Sequence, residues 1–156
     1  MPHIHDKIDF TVEVFIVYKN TVLLRMHDKY KIWLSVGGHI ELNEDPNQAA
    51  IREVKEETGL DITLVGKPVD PDEPGDYKEL LSPRFLNRHR VNDTHEHVTL
   101  VYFALAEDNN IVEDGDEMSG DMHWFTEEEL DDERYGIFKN IKHYAKSALE
   151  GSRNKN

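Results

Sequence analysis

One stretch, Gly38 to Leu60 (GHIELNEDPNQAAIREVKEETGL), constrains the chain more than any other, because it specifies a helix and loads it with carboxylates. Asp45 suits the N-cap, Pro46 the first helical position, and Gln48 completes a capping-box pattern. Gly59 suits the far end, where a left-handed conformation costs glycine little. At about 100° per residue, Glu53, Glu56 and Glu57 share a sector of roughly 100°. Ala50, Ile51, Val54 and Thr58 share a separate sector, expected to bury against a sheet. Arg52 lies one turn before Glu56 and can pair with it or reach Glu44. The spacing predicts a helix over Pro46 to Thr58 with a core face and a carboxylate face.

Clustered carboxylates repel one another, so they either point into water or hold hard cations through oxygen ligands. A charge run taken alone is a solvated face. This run also fixes Gly38, Glu44, Arg52, Glu53, Val54, Glu56, Glu57, Gly59 and Leu60 at set intervals. Ordinary residue frequencies produce that coincidence in fewer than about one chain in a million.

The segment resembles the Nudix box, the signature of the Nudix hydrolases, at every defining position. The resemblance covers Gly38 to Leu60 and implies an α/β fold, a Nudix-type α/β/α sandwich. In it a loop–helix–loop catalytic motif lies beside a mixed β-sheet. It implies hydrolysis of a diphosphate bond in a nucleoside diphosphate derivative such as ADP-ribose, or in a nucleoside triphosphate. The cofactor would be Mg2+ or Mn2+. By match to the motif, Glu53 and Glu57 are the leading metal ligands, and Glu56 joins them or positions the water. Gly38, with Gly37, lets the backbone approach metal or phosphate closely. Arg52 and Glu44 orient the ligands. A Nudix-fold module that senses a nucleotide without cleaving it is the alternative, against which the intact glutamates count.

Charge narrows the partners. With a net charge of −14 the chain would repel nucleic-acid polymers and anionic membranes, whereas bound divalent ions would admit a small nucleotide. The chain has no cysteine, so disulfides and thiolate chemistry play no part. No apolar run reaches membrane-spanning length, and a cytoplasmic location is expected. The 156 residues suit a single Nudix domain over 1–150, followed by a flexible tail over 151–156. Dimers are common among relatives, so a homodimer is allowed.

Strands are expected at Asp9–Tyr18, Val22–Met26, Ile32–Val36, Ile62–Val65, His95–Leu105 and Met122–Phe125. Thr126 caps a short helix beginning EEEL, and Ile137–Leu149 is amphipathic, with Ile137, Ile141, Tyr144 and Leu149 facing the core. The proline-rich Lys67–Gly75 stretch reads as a loop.

Beyond the box, Arg84, Arg88 and Arg90 in SPRFLNRHR form the densest basic cluster, a candidate grip on substrate phosphates. Phe85, Tyr77 or Trp124 could stack on a base. Tyr77 falls near a tyrosine of diadenosine polyphosphate hydrolases, and Pro74 near a proline of ADP-ribose pyrophosphatases, so the two markers conflict. Candidate general bases are Glu96 and the late acidic loop with Glu113, Asp114, Asp116 and Glu117, each equally readable as an exposed acid. His95 and His97 share one strand face and could bind metal or sense pH. Since magnesium prefers oxygen ligands, a structural role is expected for them.

Overall fold

A computed structural model of the chain describes residues 4–67, 72, 75–112 and 121–153. Its strands are β1 (Ile8–Tyr18), β2 (Thr21–Met26), β3 (Trp33–Leu34), β4 (Val36–His39), β5 (Ile62–Leu64), β6 (Phe85–Asn92), β7 (His95–Ala106) and β8 (Met122–Thr126). Three α-helices accompany them: α1 (Pro46–Thr58), α2 (Glu127–Leu130) and α3 (Lys139–Arg153). All the strands join one mixed sheet, in which β1 and β7 run parallel from Ile8↔Glu96 to Val17↔Leu105 and the other pairings are antiparallel. No described helix is long and apolar enough to cross a membrane.

Alternation along β1 builds two cores. Val12, Val14 and Ile16 face α1 with Leu23, Tyr102 and Ala104. Phe15 and Val17 face the other way, with Val101, Phe103 and Phe125, and are covered by Ile141, Ala145 and Leu149 of α3. The result is the expected α/β/α sandwich. On the α3 side the apolar cover reaches only part of the strands. Past Phe15, the same face of β1 continues as Glu13, Thr11 and Asp9, and past Val101 the face of β7 continues as Thr99, His97 and His95.

The helix caps follow their local signals. The Asp45 side chain accepts from the Gln48 N–H at 2.9 Å and Gln48 returns the bond to the Asp45 N–H at 2.9 Å. Gly59 adopts φ 74°, where a side chain would be strained. Thr126 and Glu129 form a second capping box at α2.

Three local expectations are corrected, and one strand is added. The single strand expected over Ile32–Val36 is two, divided at Ser35: β3 pairs with β2 and β4 with β1, which draws Gly37 and Gly38 into the sheet. The basic SPRFLNRHR stretch is largely strand β6, paired along β7 with a shift near Arg90. The tail begins later than expected, because α3 runs through Gly151 to Arg153. There the Ser152 hydroxyl donates to Ala148 O at 2.7 Å and Arg153 pairs with Glu127 at 2.7 Å. Ile51 is 48% exposed, whereas Ala49, Ala50, Glu53, Val54 and Thr58 are buried.

Candidate active site

The burial of Glu53 changes the reading of α1. Its carboxylates do not occupy a face separate from the core. Glu53 and Glu57 lie within the buried arc, between Ala49 and Ala50 in angular position, and only Glu56 projects into solvent, with its side chain 60% exposed. Glu53 fits there because the facing strand β4 carries no side chain at Gly38, and the Gly37 backbone N–H donates to Glu57. A Cβ on Gly38 would run into the Glu53 carboxylate, and one on Gly37 would strike the Val12 carbonyl oxygen.

Arg52 organises the loop around this pair. Its Nε and Nη2 hold both oxygens of Glu44, at 2.9 and 2.6 Å. Its Nη1 donates to Glu53 at 2.9 Å and Glu56 at 3.2 Å, and Nη2 also reaches the His39 carbonyl at 3.0 Å. Both expected partners, Glu44 and Glu56, are therefore engaged at once. The hydrogen bonds from Arg52 hold the Glu44 carboxyl below the usual range. Burial outweighs the same arginine at Glu53, whose pKa is raised. Burial also lifts Glu57, to about 7, against the opposing pull of Arg25 and the Gly37 N–H. Buried acids with raised pKa values, set beside one another, form an oxygen-only donor set matched to a hard divalent cation.

Next to them opens a cleft of about 220 Å³ lined by Thr11, Glu13, Arg25, Ser35, Gly37, Gly38, His39, His89, His97 and Thr99. Arg25 and the two glycines belong both to its wall and to the surroundings of the box carboxylates. Sequence reasoning missed Glu13, Arg25 and Ser35. Glu13 is a lone acid in an otherwise apolar run, paired with Gly37, and burial raises its pKa against a hydrogen bond to Ser35. A carboxylate on the same strand face as Phe15 is the signal that could have found it.

The candidate substrate contacts do not converge. Arg84 lies over the Phe103 ring at 5.4 Å, and Phe85 packs on Phe103 and Tyr144 in the α3 core. Arg88 pairs with Glu96 at 3.2 Å, and cross-strand pairing with Val98 and Glu96 puts Arg88 and Arg90 on the sheet face opposite His89. Tyr77 is exposed, and Trp124 packs against the α1 core. Asn47, on α1, clamps the backbone of Leu81 from both sides, at 2.9 and 3.0 Å, tying this segment to the box helix. Pro74 and the late acidic loop, with Glu113, Asp114, Asp116 and Glu117, lie outside the described residues.

The NUDIX domain family model matches residues 9–145. No curated protein matches the sequence. Among solved structures, a hydrolase of the NUDIX family from Clostridium perfringens is 37% identical, covering 91% of this chain and 96% of its own at a TM-score of 0.79. An ADP-ribose pyrophosphatase from Streptococcus suis, 16% identical, covers 95% of this chain and 94% of its own at a TM-score of 0.59. The dihydroneopterin triphosphate pyrophosphohydrolase of E. coli, also 16% identical, covers 90% and 94% at a TM-score of 0.65. The last two share the fold. The intact box and the family match over most of the chain agree: it belongs to the NUDIX family and is a Nudix hydrolase.

Proposed function

We propose that the chain hydrolyses a diphosphate bond in a nucleoside diphosphate derivative such as ADP-ribose, or in a nucleoside triphosphate, by attack of water on phosphorus. The supporting observation is the burial of Glu53 and Glu57 against the glycines of β4, beside a cleft that contains Arg25. Two carboxylates withdrawn from water side by side are costly, and a divalent cation shared with an anionic substrate offsets that cost. When bound, Mg2+ or Mn2+ supplies Lewis-acid polarisation of the phosphoryl oxygens and acidifies water.

The chain's own residues do the rest. Glu53 and Glu57 present oxygens to the cation, and Gly37 and Gly38 let phosphate approach the backbone. Arg52, fixed by Glu44, keeps Glu53 in its orientation. Glu56, exposed next to them and paired with Arg52, joins the ligands or positions the attacking water. Arg25 is the cationic group of the cleft available to phosphate oxygens. His89 brings β6 to the cleft wall, whereas Phe85 serves the α3 core. Tyr77 with the exposed Arg84, Arg88 and Arg90, all outside that cleft, are proposed to contribute recognition of the part of the substrate beyond it. The net charge of −14 favours a small substrate over a nucleic-acid polymer.

The test is Mg2+-dependent product release from a panel of nucleoside diphosphate derivatives and triphosphates, with reactions in 18O-water locating the attacked phosphorus. Activity on at least one compound, lost in Glu57→Gln with folding retained, is the expected result. Unchanged turnover in that variant would overturn the assignment.

A further inference from the structure

Away from the box glutamates, the polar end of the sheet brings together the Asp9 carboxylate and the imidazoles of His39, His89, His95 and His97, from four strands. Asp9 of β1 pairs in register with His97 of β7, His97 with His89 of β6, and on the next rung Thr11 pairs with His39 of β4. Asp9 and His95 are buried, at 1% and 3% exposure. Asp9 Oδ2 lies 3.0 Å from His95 Nε2 and 3.3 Å from His39 Nε2. Oδ1 accepts from the backbone N–H of His5 at 2.8 Å, and the Ile4 N–H is shared between Oδ1 at 3.1 Å and Oδ2 at 3.3 Å, which fixes the carboxylate with Oδ2 towards the imidazoles. The His97 ring stands edge-on to those of His39 and His95, with centroids 5.1 and 5.4 Å away.

We propose that Asp9, His95 and His97 bind a divalent transition-metal ion, Zn2+ foremost, with His39 completing a four-coordinate set. One donor atom from each of the three lies within 4.8 Å of the others. Tetrahedral zinc with bonds of about 2.1 Å places its donors roughly 3.4 Å apart, so a closure of up to about 1.4 Å by side-chain rotation suffices. Imidazole and carboxylate together suit zinc and its first-row neighbours, whereas magnesium avoids nitrogen. The chain would therefore sort two metals by donor chemistry: a hard ion at the box glutamates and a nitrogen-seeking ion here.

Location gives the second site a purpose. The ligands come from β1, β4 and β7, at the end of the sheet that α3 leaves uncovered, where the Thr11 and Thr99 hydroxyls already meet at 2.7 Å. An ion there would clamp three strands at the end of the substrate cleft, which His39 and His97 line. It would also steady His39, whose carbonyl holds Arg52.

The test uses the full chain, stripped of metal and carrying Glu53→Gln and Glu57→Gln so that the box cannot bind. Titration with Co2+ is expected to give one equivalent of bound metal with the visible bands of a four-coordinate site. Zn2+ should displace it and excess Mg2+ should not. Adding His97→Ala should weaken binding at least about 100-fold, whereas His89→Ala, beside the set but outside it, should leave it intact. X-ray absorption of the Zn2+-loaded wild-type chain should show a nitrogen-rich first shell, a readout independent of any variant. An absence of Co2+ binding in the box variant, equal affinity after His97→Ala, or an all-oxygen shell would each overturn the site and leave Asp9 as a hydrogen-bonding hub. None of these results depends on whether the nucleotide panel shows turnover.

Discussion

Arg25 Nε, on β2, lies 3.3 Å from Glu57 Oε2, on the box helix. Both atoms are buried, and neither makes an aligned hydrogen bond. The pair joins two elements distant in sequence, and it leaves Glu57 only partly compensated: burial still lifts its pKa to about 7. The proposed metal ligand is thus held where its ionised form is disfavoured in the metal-free protein.

Glu57→Gln should therefore separate stability from activity. A carboxyl whose folded pKa is about 7, against a reference of 4.5, favours the folded state most at low pH and loses that benefit as pH rises through 7. At pH 8 the glutamine removes a penalty on the order of 2 kcal/mol, raising the apo Tm by several degrees, while turnover falls more than about 100-fold. The gain in Tm should shrink as pH is lowered towards 4.5. Calorimetry across pH, beside steady-state kinetics, checks both halves.

The same linkage makes cation binding compete with protons. Mg2+ should raise the Tm of the wild-type chain more at pH 8 than at pH 6, since fewer protons need displacing from Glu57. Glu57→Gln should respond weakly at both. An equal response at the two pH values would contradict the raised pKa.

The two glycines of β4 should fail differently. In Gly38→Ala the new methyl meets the Glu53 carboxylate, a side chain that can shift, so Mg2+ affinity should fall roughly tenfold or more with the fold retained. In Gly37→Ala the methyl meets the Val12 backbone carbonyl in the middle of a strand pair, so about 1–3 kcal/mol of stability should be lost. Denaturant midpoints and metal titrations of the two variants distinguish the cases.

Arg52→Lys should not be conservative. A single ammonium cannot reproduce the two-pronged hold on Glu44 together with the bonds to Glu53 and the His39 carbonyl. A loss of about 10–100-fold in kcat/KM is expected, with only a small change in Tm.

At α2, Glu129 accepts from His123 at 2.8 Å and from Tyr135 at 3.1 Å, and the His123 bond heads the causes that bring its pKa down to about 2. Its contribution is present above the ordinary carboxylate pKa and disappears as pH falls through about 2. Glu129→Gln should cost about 1 kcal/mol or less at pH 7, given the half-exposed setting, and nothing at pH 2. Urea midpoints at the two pH values measure it.

The sequence disclosed the box helix in detail because caps and spacing are local: Asp45, Gln48 and Gly59 do what their side chains dictate. It mislaid the partition of α1, because the space that lets Glu53 turn inward is made by Gly38 on another strand. Strand β6 was hidden for a related reason. An edge strand exposes charged residues such as Arg88 and Arg90, so its alternation resembles a polar loop. Arg25 on β2, Glu13 on β1 and Ser35 between β3 and β4 are separate in sequence, and only the sheet brings them to one cleft. The histidine pair on β7 was visible as a pattern, but its partner Asp9 required the parallel register.

That register has an implication for how such a chain changes over time. β1 and β7 run side by side over ten matched positions, yet their shared face passes from apolar to polar at Glu13–Phe15 and Thr99–Val101. Replacements on one side of that boundary are judged by packing, whereas those on the other are judged by what they grip. New ligand preferences can accumulate at Asp9, Thr11, His97 and Thr99 while Phe15, Val17 and Phe103 keep the scaffold standing, so innovation and integrity share two strands without sharing residues.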